Sequence, residues 1–440
     1  MFFAGLGQAW SLFSGPISIL LITRFFSPKV QGYYYTFSSV LALQVFLELG
    51  FSACIIQFAS HEFARLRFGP GGAIEGDLVA RSRLISLGRL SLKWYAVMAF
   101  LAVIFIGVGG HYFFQTKHDP SVAWVWPWWS LCLASGLSLL LLPVTSLLEG
   151  CNQVSFVYGL RTISRIVAAV ALWAAIWGGA NLFAGSLTAL ATVLAMATAY
   201  LWRWRGLLGE LWHAPQEEVI SWRHEIWPFQ WRTAVIWMSS YFTSNFFTPL
   251  LFYFHGPVVA GQMGATMSLV ASLSALAQSW TVSKGPRFGM LVSRRQFGEL
   301  DRLFYKATAQ AVGICIIGGL ALLAGLVFVR AHFALGARFL APGPTSLLVL
   351  VTVLNQVGYS QGVYTNAHKQ APFMILAVVG SLAIGLLAVA FGYSFGAWGV
   401  ALAYVLVQVP LLVWVYVVWE RCRKLWHQTD ALQKDDRTDI

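Results

Sequence analysis

Twelve long apolar runs, at roughly 7–26, 35–60, 94–114, 124–149, 154–177, 181–202, 227–254, 257–282, 306–329, 344–365, 372–392 and 396–419, constrain this chain more than any other feature. Each approaches the length of about 20 residues that a helix needs to cross some 30 Å of hydrocarbon. Only 10% of the 440 residues are charged, 58% are hydrophobic, and the mean hydropathy is +0.68. A soluble chain of this size could not cover its surface with so few charges. Inside lipid every backbone polar group must be paired internally, which leaves helices or closed barrels. Barrel strands would be about ten residues of strict alternation, and these runs show none. The expected fold class is therefore an all-α polytopic membrane protein.

Lysine and arginine give the orientation. With the amino terminus placed in the cytoplasm, 22 of the 29 basic residues fall on inward loops and the tail, and 5 fall outside. The other two, Arg161 and Arg165, lie within a span. Such a bias sets topology, and an even number of spans returns the tail to the cytoplasm. The net charge of +12 does not point to nucleic acid, because the basic residues are spread over many loops beside spans, where they meet anionic lipid heads. Tryptophans such as Trp124, Trp126, Trp128 and Trp129 read as interfacial anchors. The first run lacks a basic lead and reads as a retained helix rather than a cleaved signal. The segment 206–226 reads as a surface-lying linker, and the polar tail from His427 to Ile440 as disordered.

The two halves share punctuation. Pro28-Lys29-Val30-Gln31-Gly32 follows the first span and Pro257-Val258-Val259-Ala260-Gly261 the seventh, both P-x-x-x-G. Glycine-rich turns precede the sixth and twelfth spans. The order suggests a parallel repeat of six helices and six helices: a first bundle over 1–205, a linker over 206–226, a second bundle over 227–420, and a cytoplasmic tail over 421–440.

With these residues on view, the chain resembles the polysaccharide-transporter branch of the multidrug/oligosaccharidyl-lipid/polysaccharide (MOP) exporter superfamily. The likeness rests on Ile22-Thr23-Arg24-Phe25-Phe26-Ser27-Pro28 with Gly32-Tyr33-Tyr34, on Leu47-Glu48-Leu49-Gly50-Phe51, on Glu149-Gly150-Cys151-Asn152-Gln153, and on Trp227-Pro228-Phe229. The resemblance implies a MATE/MOP-like pair of bundles in a bacterial inner membrane. It also implies a flippase that moves undecaprenyl-pyrophosphate-linked glycan outward by alternating access, in O-antigen, capsule or exopolysaccharide biosynthesis. Its partners would be the lipid-linked oligosaccharide, membrane lipids, and a polysaccharide polymerase or assembly protein. Basic residues on the first helix line the cavity of the lipid II flippases it resembles, which makes Arg24 a cavity candidate.

An ionisable group deep in a span is costly and usually faces a cavity, a partner or water. Arg165 lies roughly 17 Å into its helix, and Arg161 is one turn earlier on the same face. A diphosphate crossing hydrocarbon needs compensating charge, and the planar guanidinium suits phosphate oxygens. Arg161 and Arg165 are therefore the candidate head-group ligands, with an internal salt bridge as their plainer use. Glu48, about 20 Å into the second span, is either a coupling-ion site or the structural partner of Arg165. Glu149, at the end of the fourth span, is a gate or a solvated cap. Asn245, Gln278 and Asn355 serve either sugar hydroxyls or helix packing.

No histidine or cysteine cluster has metal-ligand spacing, and Gly69-Pro70-Gly71-Gly72 lacks the lysine of a P-loop. No cofactor or metal is expected, and no enzyme activity. A MATE-like small-molecule or multidrug exporter is the second reading, and a polyprenyl-linked glycosyltransferase or ligase the third. Cationic drugs would call for buried acids, and a glycan enzyme for a sizeable acidic outward loop, whereas the outward acids reduce to Asp119. The charge asymmetry predicts that green fluorescent protein fused to the carboxyl terminus fluoresces and that alkaline phosphatase fused there is inactive. The reverse pattern would contradict the orientation.

Overall fold

The apolar runs fold as helices, and each turn between them has a local cause. The computed structural model describes residues 2–117, 119–213, 218–368, 370 and 372–438. Residues 214–217 of the expected linker thus lie outside the described residues. The chain divides into two compact units, Met1–Tyr241 and Phe242–Ile440. The first contains α1 (Phe2–Phe25), α2 (Pro28–Leu41), α3 (Val45–Glu48), α4 (Phe51–Phe63), α5 (Leu78–Leu101), α6 (Gly107–Thr116), α7 (Val125–Gly150), α8 (Val154–Trp177), α9 (Phe183–Arg203) and α10 (Arg205–His213). The division falls within α11 (Trp227–Ser244). The second unit continues with α12 (Phe247–His255), α13 (Pro257–Val282), α14 (Gly285–Ser293), α15 (Phe297–His332), α16 (Pro342–Ala367) and α17 (Met374–Thr438).

Eight helices are long and apolar enough to cross a bilayer, and nine if the bent pair Pro28–Glu48 and Phe51–Phe63 forms one span. The protein is a multi-pass membrane protein, but length and composition do not reach the expected twelve. Three features account for the difference. The predicted span 227–254 is split into α11 and α12. The helix α16 carries Asn355, Gln356, Ser360 and Gln361 among its apolar residues. The last two predicted spans run together as α17, interrupted at Gly396 (φ 58°, ψ −134°).

In the first unit, Ser27 caps α2, its hydroxyl accepting the Val30 N–H at 3.2 Å, and Pro28 occupies the first turn, where its missing N–H costs nothing. Asp77 caps α5 through the Ala80 N–H at 2.8 Å. That cap lets α5 begin well before the apolar run at 94, so the expected inward loop is helical from Leu78. Before it, Leu66–Phe68 and Ile74–Gly76 pair as a short antiparallel hairpin. The second span breaks where Leu49 (φ 53°) and Gly50 (φ 63°) both turn left-handed, with a bend of 46°. A leucine in that region costs about 1–2 kcal/mol, and Gly50 spares the next residue the same penalty.

The core of this unit is aromatic. Tyr33, Phe37, Phe114, Trp124 and Trp128 are all buried, and the Trp128 indole N–H donates to the Gly107 carbonyl at 2.8 Å. Trp124 and Trp128 are therefore core residues rather than interfacial anchors, whereas Trp126 is 78% exposed. Lipid tails are as apolar as these rings, so their packing is held by dispersion and hydrogen bonds rather than by expulsion of water.

Charges close the arginine-rich end. Arg83 on α5 donates to Glu62 at 2.8 Å and to Glu225 at 2.6 Å. Burial pushes the Glu225 carboxyl up, but the Ser221 N–H and the Arg83 guanidinium outweigh it and hold the group below its ordinary value. Glu210 on α10 accepts from Arg81 and from the Ile74 N–H. The expected surface linker is thus tied to α5 and the hairpin where it is described. In the second unit, Phe288, Phe304, Tyr364 and Trp419 pack together, and His368 stacks on Trp426 at 3.9 Å. Beyond that stack α17 continues as a helix to Thr438, where the sequence suggested disorder.

At the basic-poor end of the first unit, Lys29 bridges to Asp119 at 2.7 Å. The Lys29 ammonium, helped by Ser121, holds the Asp119 carboxyl down to about 2 from 3.8. A depressed carboxyl contributes stability above its unfolded value and loses it as pH falls through the folded one. The destabilisation caused by Asp119→Asn should therefore be constant from neutral pH to about 4. It should fade between 3.8 and about 2, as read by thermal melts across pH. A difference that vanished near pH 6 would contradict the pairing.

Candidate functional site

Two helices build the site in the first unit. α1 packs chiefly on α8. Gly7 faces Thr162 and Arg165, and Ser18 accepts the Trp173 indole N–H at 2.9 Å, so the two helices run in the same direction. A Cβ on Gly7 would lie 2.7 Å from the Thr162 hydroxyl and 3.1 Å from an Arg165 guanidinium nitrogen. The absence of a side chain at position 7 is what lets the guanidinium lie against α1.

Arg165 is exposed on its helix and makes no ion pair among the described residues. An arginine at the centre of a bilayer helix costs about 2.5–3.5 kcal/mol on insertion scales. An internal carboxylate would cancel much of that cost, and none does so here. What remains is a cation that requires water or an anionic ligand.

Arg161 has a different fate. It donates to Glu149 at 2.7 Å, and its guanidinium lies 5.2 Å from the Tyr158 ring centroid. The two residues named from sequence as a head-group ligand and a gate thus neutralise each other, joining the end of α7 to α8 across the short turn at Asn152. Arg161 and Arg165 share a face in sequence, but only Arg165 keeps its charge uncompensated.

Glu48 does not pair with Arg165. Its buried carboxylate accepts from the Ser52 hydroxyl at 2.6 Å and the Tyr95 hydroxyl at 3.0 Å. The carboxylate sits at the break of the second span, where Ser52 and Tyr95 replace the cation that sequence reasoning sought. Arg24 stands in the last turn of α1, exposed and without an ion pair among the described residues. There it interacts favourably with the negative end of the helix dipole, worth about 0.3–1 kcal/mol. It lies 17 residues beyond Gly7, about 26 Å along α1. Arg24 and Arg165 therefore cannot grip one phosphate group together.

The amides of the second unit divide as well. Asn355 donates to the Tyr404 hydroxyl at 3.1 Å, a bond between α16 and α17. Asn245 donates to the Ser244 hydroxyl at 3.0 Å, at the break between α11 and α12. Gln278 is half-buried on α13.

Sequence reasoning missed one feature of the first unit. A cavity of about 320 Å³ opens between α2, α7 and α9, lined by hydroxyl, amide and aromatic side chains together with Leu41, Leu131 and Leu182, and by no charged side chain. Gln44, one helical turn before Glu48 inside a span, was its signal.

No protein-family model matches this sequence, and no match to a curated protein reaches significance. Solved structures do match. One is an inward-facing multidrug resistance MATE family transporter of the MOP superfamily, with a TM-score of 0.64 at 12% identity over 95% of this chain and 96% of that one. Another is the lipid II flippase MurJ in an inward closed conformation, with a TM-score of 0.63 at 13% identity over 98% and 91%. A third is a MOP superfamily transporter from Pyrococcus furiosus, described as having a binding pocket of reversed polarity, with a TM-score of 0.54 at 12% identity over 97% and 94%. At such identities the likeness shows the fold: an all-α, polytopic architecture of the MATE/MOP type.

Proposed function

We propose that this chain is a lipid-linked oligosaccharide flippase of the polysaccharide-exporting kind. It carries undecaprenyl-pyrophosphate-linked glycan from the cytoplasmic to the periplasmic leaflet of a bacterial inner membrane, with both termini in the cytoplasm. The observation that carries this reading is the uncompensated Arg165, set about 17 Å into α8 and backed by Gly7. The planar fork of arginine donates to phosphate oxygens in pairs and stays charged at any working pH. A diphosphate bound there would lose less on leaving water, while the polyprenyl chain stays in the bilayer. Alternating access between two half-transporters then releases it on the far side. The step is transport, with no bond made or broken by the protein.

The charge pattern favours an anion over the cationic drugs of a multidrug exporter. Among the described residues, both acids named from sequence are already engaged, Glu48 by two hydroxyls and Glu149 by Arg161. A cation entering this unit would find no free carboxylate among them and would meet Arg165. Lipid-linked glycan, anionic membrane lipids and a downstream polymerase or assembly protein are the partners this reading calls for.

Arg165→Gln should abolish glycan export in a complemented deletion strain while leaving the protein's membrane level unchanged. Arg165→Lys should restore a fraction, because a point charge replaces a fork. Full export by Arg165→Gln would contradict the assignment.

A further inference from the structure

The cavity between α2, α7 and α9 lies at the basic-poor end of the first unit, in the half of each helix near that end. Its polar lining comes from Tyr34, Ser38, Gln44, Ser135 and Thr188, its apolar lining from Leu41, Leu131, Leu182 and the buried Phe37, and no charged side chain reaches it. The volume of about 320 Å³ falls at the lower end of ligand pockets, about 300–1,000 Å³. A cavity without charge does not select an ion, and a hydrocarbon chain would fit the leucines of this mixed lining but leave its hydroxyl and amide groups unmatched.

The state of each polar group narrows the ligand further. Ser38 and Thr188 spend their protons on their own helices, donating to the Tyr34 carbonyl at 3.3 Å and the Ala184 carbonyl at 2.7 Å. Their oxygens retain lone pairs and can only accept. The Tyr34 hydroxyl, the Gln44 amide and the Ser135 hydroxyl have no hydrogen-bond partner among the described residues. All three residues line the cavity, and none is fully buried. Within a membrane, polar groups left unmatched cost free energy. Matching this set takes a small, neutral molecule that both donates and accepts at several points and offers an apolar face to the leucines and the Tyr34 ring. A sugar ring has those properties.

We infer that this cavity is a neutral-sugar subsite, taking one uncharged monosaccharide unit. The inference rests on the glycolipid reading for the source of that sugar, but the site is separate from Arg165 and its chemistry is independent of the diphosphate. Tyr34 would hydrogen-bond ring hydroxyls from α2, Gln44 from the turn that follows it, and Ser135 from α7.

The test uses the full chain in nanodiscs free of glycosidic detergent and needs neither lipid carrier nor transport. Saturation-transfer NMR would measure binding of free glucose, galactose, rhamnose and N-acetylglucosamine at about 10 mM. At least one should bind. Ser135→Ala, which deletes a single oxygen, should weaken that binding about 2- to 10-fold, and Gln44→Leu, which keeps the volume and removes the amide, should weaken it more. Binding by none of the four would overturn the inference, as would binding indifferent to both variants. A phospholipid that protects a cysteine placed at Ser135 from a water-soluble thiol reagent, with sugar failing to do so, would overturn it in favour of a lipid chain. Failure of any of these with export intact sinks the sugar subsite alone; the flippase reading falls only with the Arg165 variants.

Discussion

A charged guanidinium without a counter-ion, inside a helix long enough to cross a bilayer, is the constraint on which the rest of this protein turns. Hydrocarbon penalises it, and the fold offers Arg165 no carboxylate among the described residues. A few kcal/mol is a large fraction of a protein's net stability, so a chain that leaves such a group uncompensated gives up folding free energy at that position. Gly7 shows that the surrounding structure makes room for the guanidinium rather than expelling it.

Several other charges of the first unit are matched. Arg161 is balanced by Glu149, Arg83 by two carboxylates, Lys29 by Asp119, and the lone acid at the bend of the second span by two hydroxyls. One turn away on the same helix, Arg161 is balanced by a carboxylate while Arg165 has none among the described residues. The uncharged cavity between α2, α7 and α9, with its mixed polar and apolar lining, follows a different chemistry. A head group that is anionic at one end and polyhydroxylated beyond it would match both.

Much of the fold was legible in the sequence because bilayer thickness sets helix length. The runs at 124–149 and 154–177 become α7 and α8 almost residue for residue. Legibility failed where tertiary contacts overrule hydropathy. Asp77 and the ion pairs of Arg81 and Arg83 extend α5 into what read as a loop. Trp124 and Trp128 turn inward because Tyr33, Phe37 and Phe114 offer them a partner surface, which composition cannot reveal. The site was half legible. Depth along a helix singled out Arg165, Arg161 and Glu48, but which charge meets which depends on the spatial neighbours of each helix. Thus Glu149 claimed Arg161, and Tyr95, 47 residues from Glu48, claimed the acid. The hydroxyls of Ser135 and Thr188 look ordinary in sequence, since serine and threonine commonly bond back to their own helix.

The most direct measurement is the water accessibility of position 165 in a lipid bilayer. A nitroxide placed there, with Cys54, Cys132, Cys151, Cys315 and Cys422 replaced, can be compared with one at Ile163, which is 56% exposed on the same helix. A polar nickel chelate should relax the label at 165 strongly and the label at 163 weakly, with oxygen doing the opposite. Equal protection of both labels from nickel, with equal exposure to oxygen, would place Arg165 in lipid and remove the basis for an anion site.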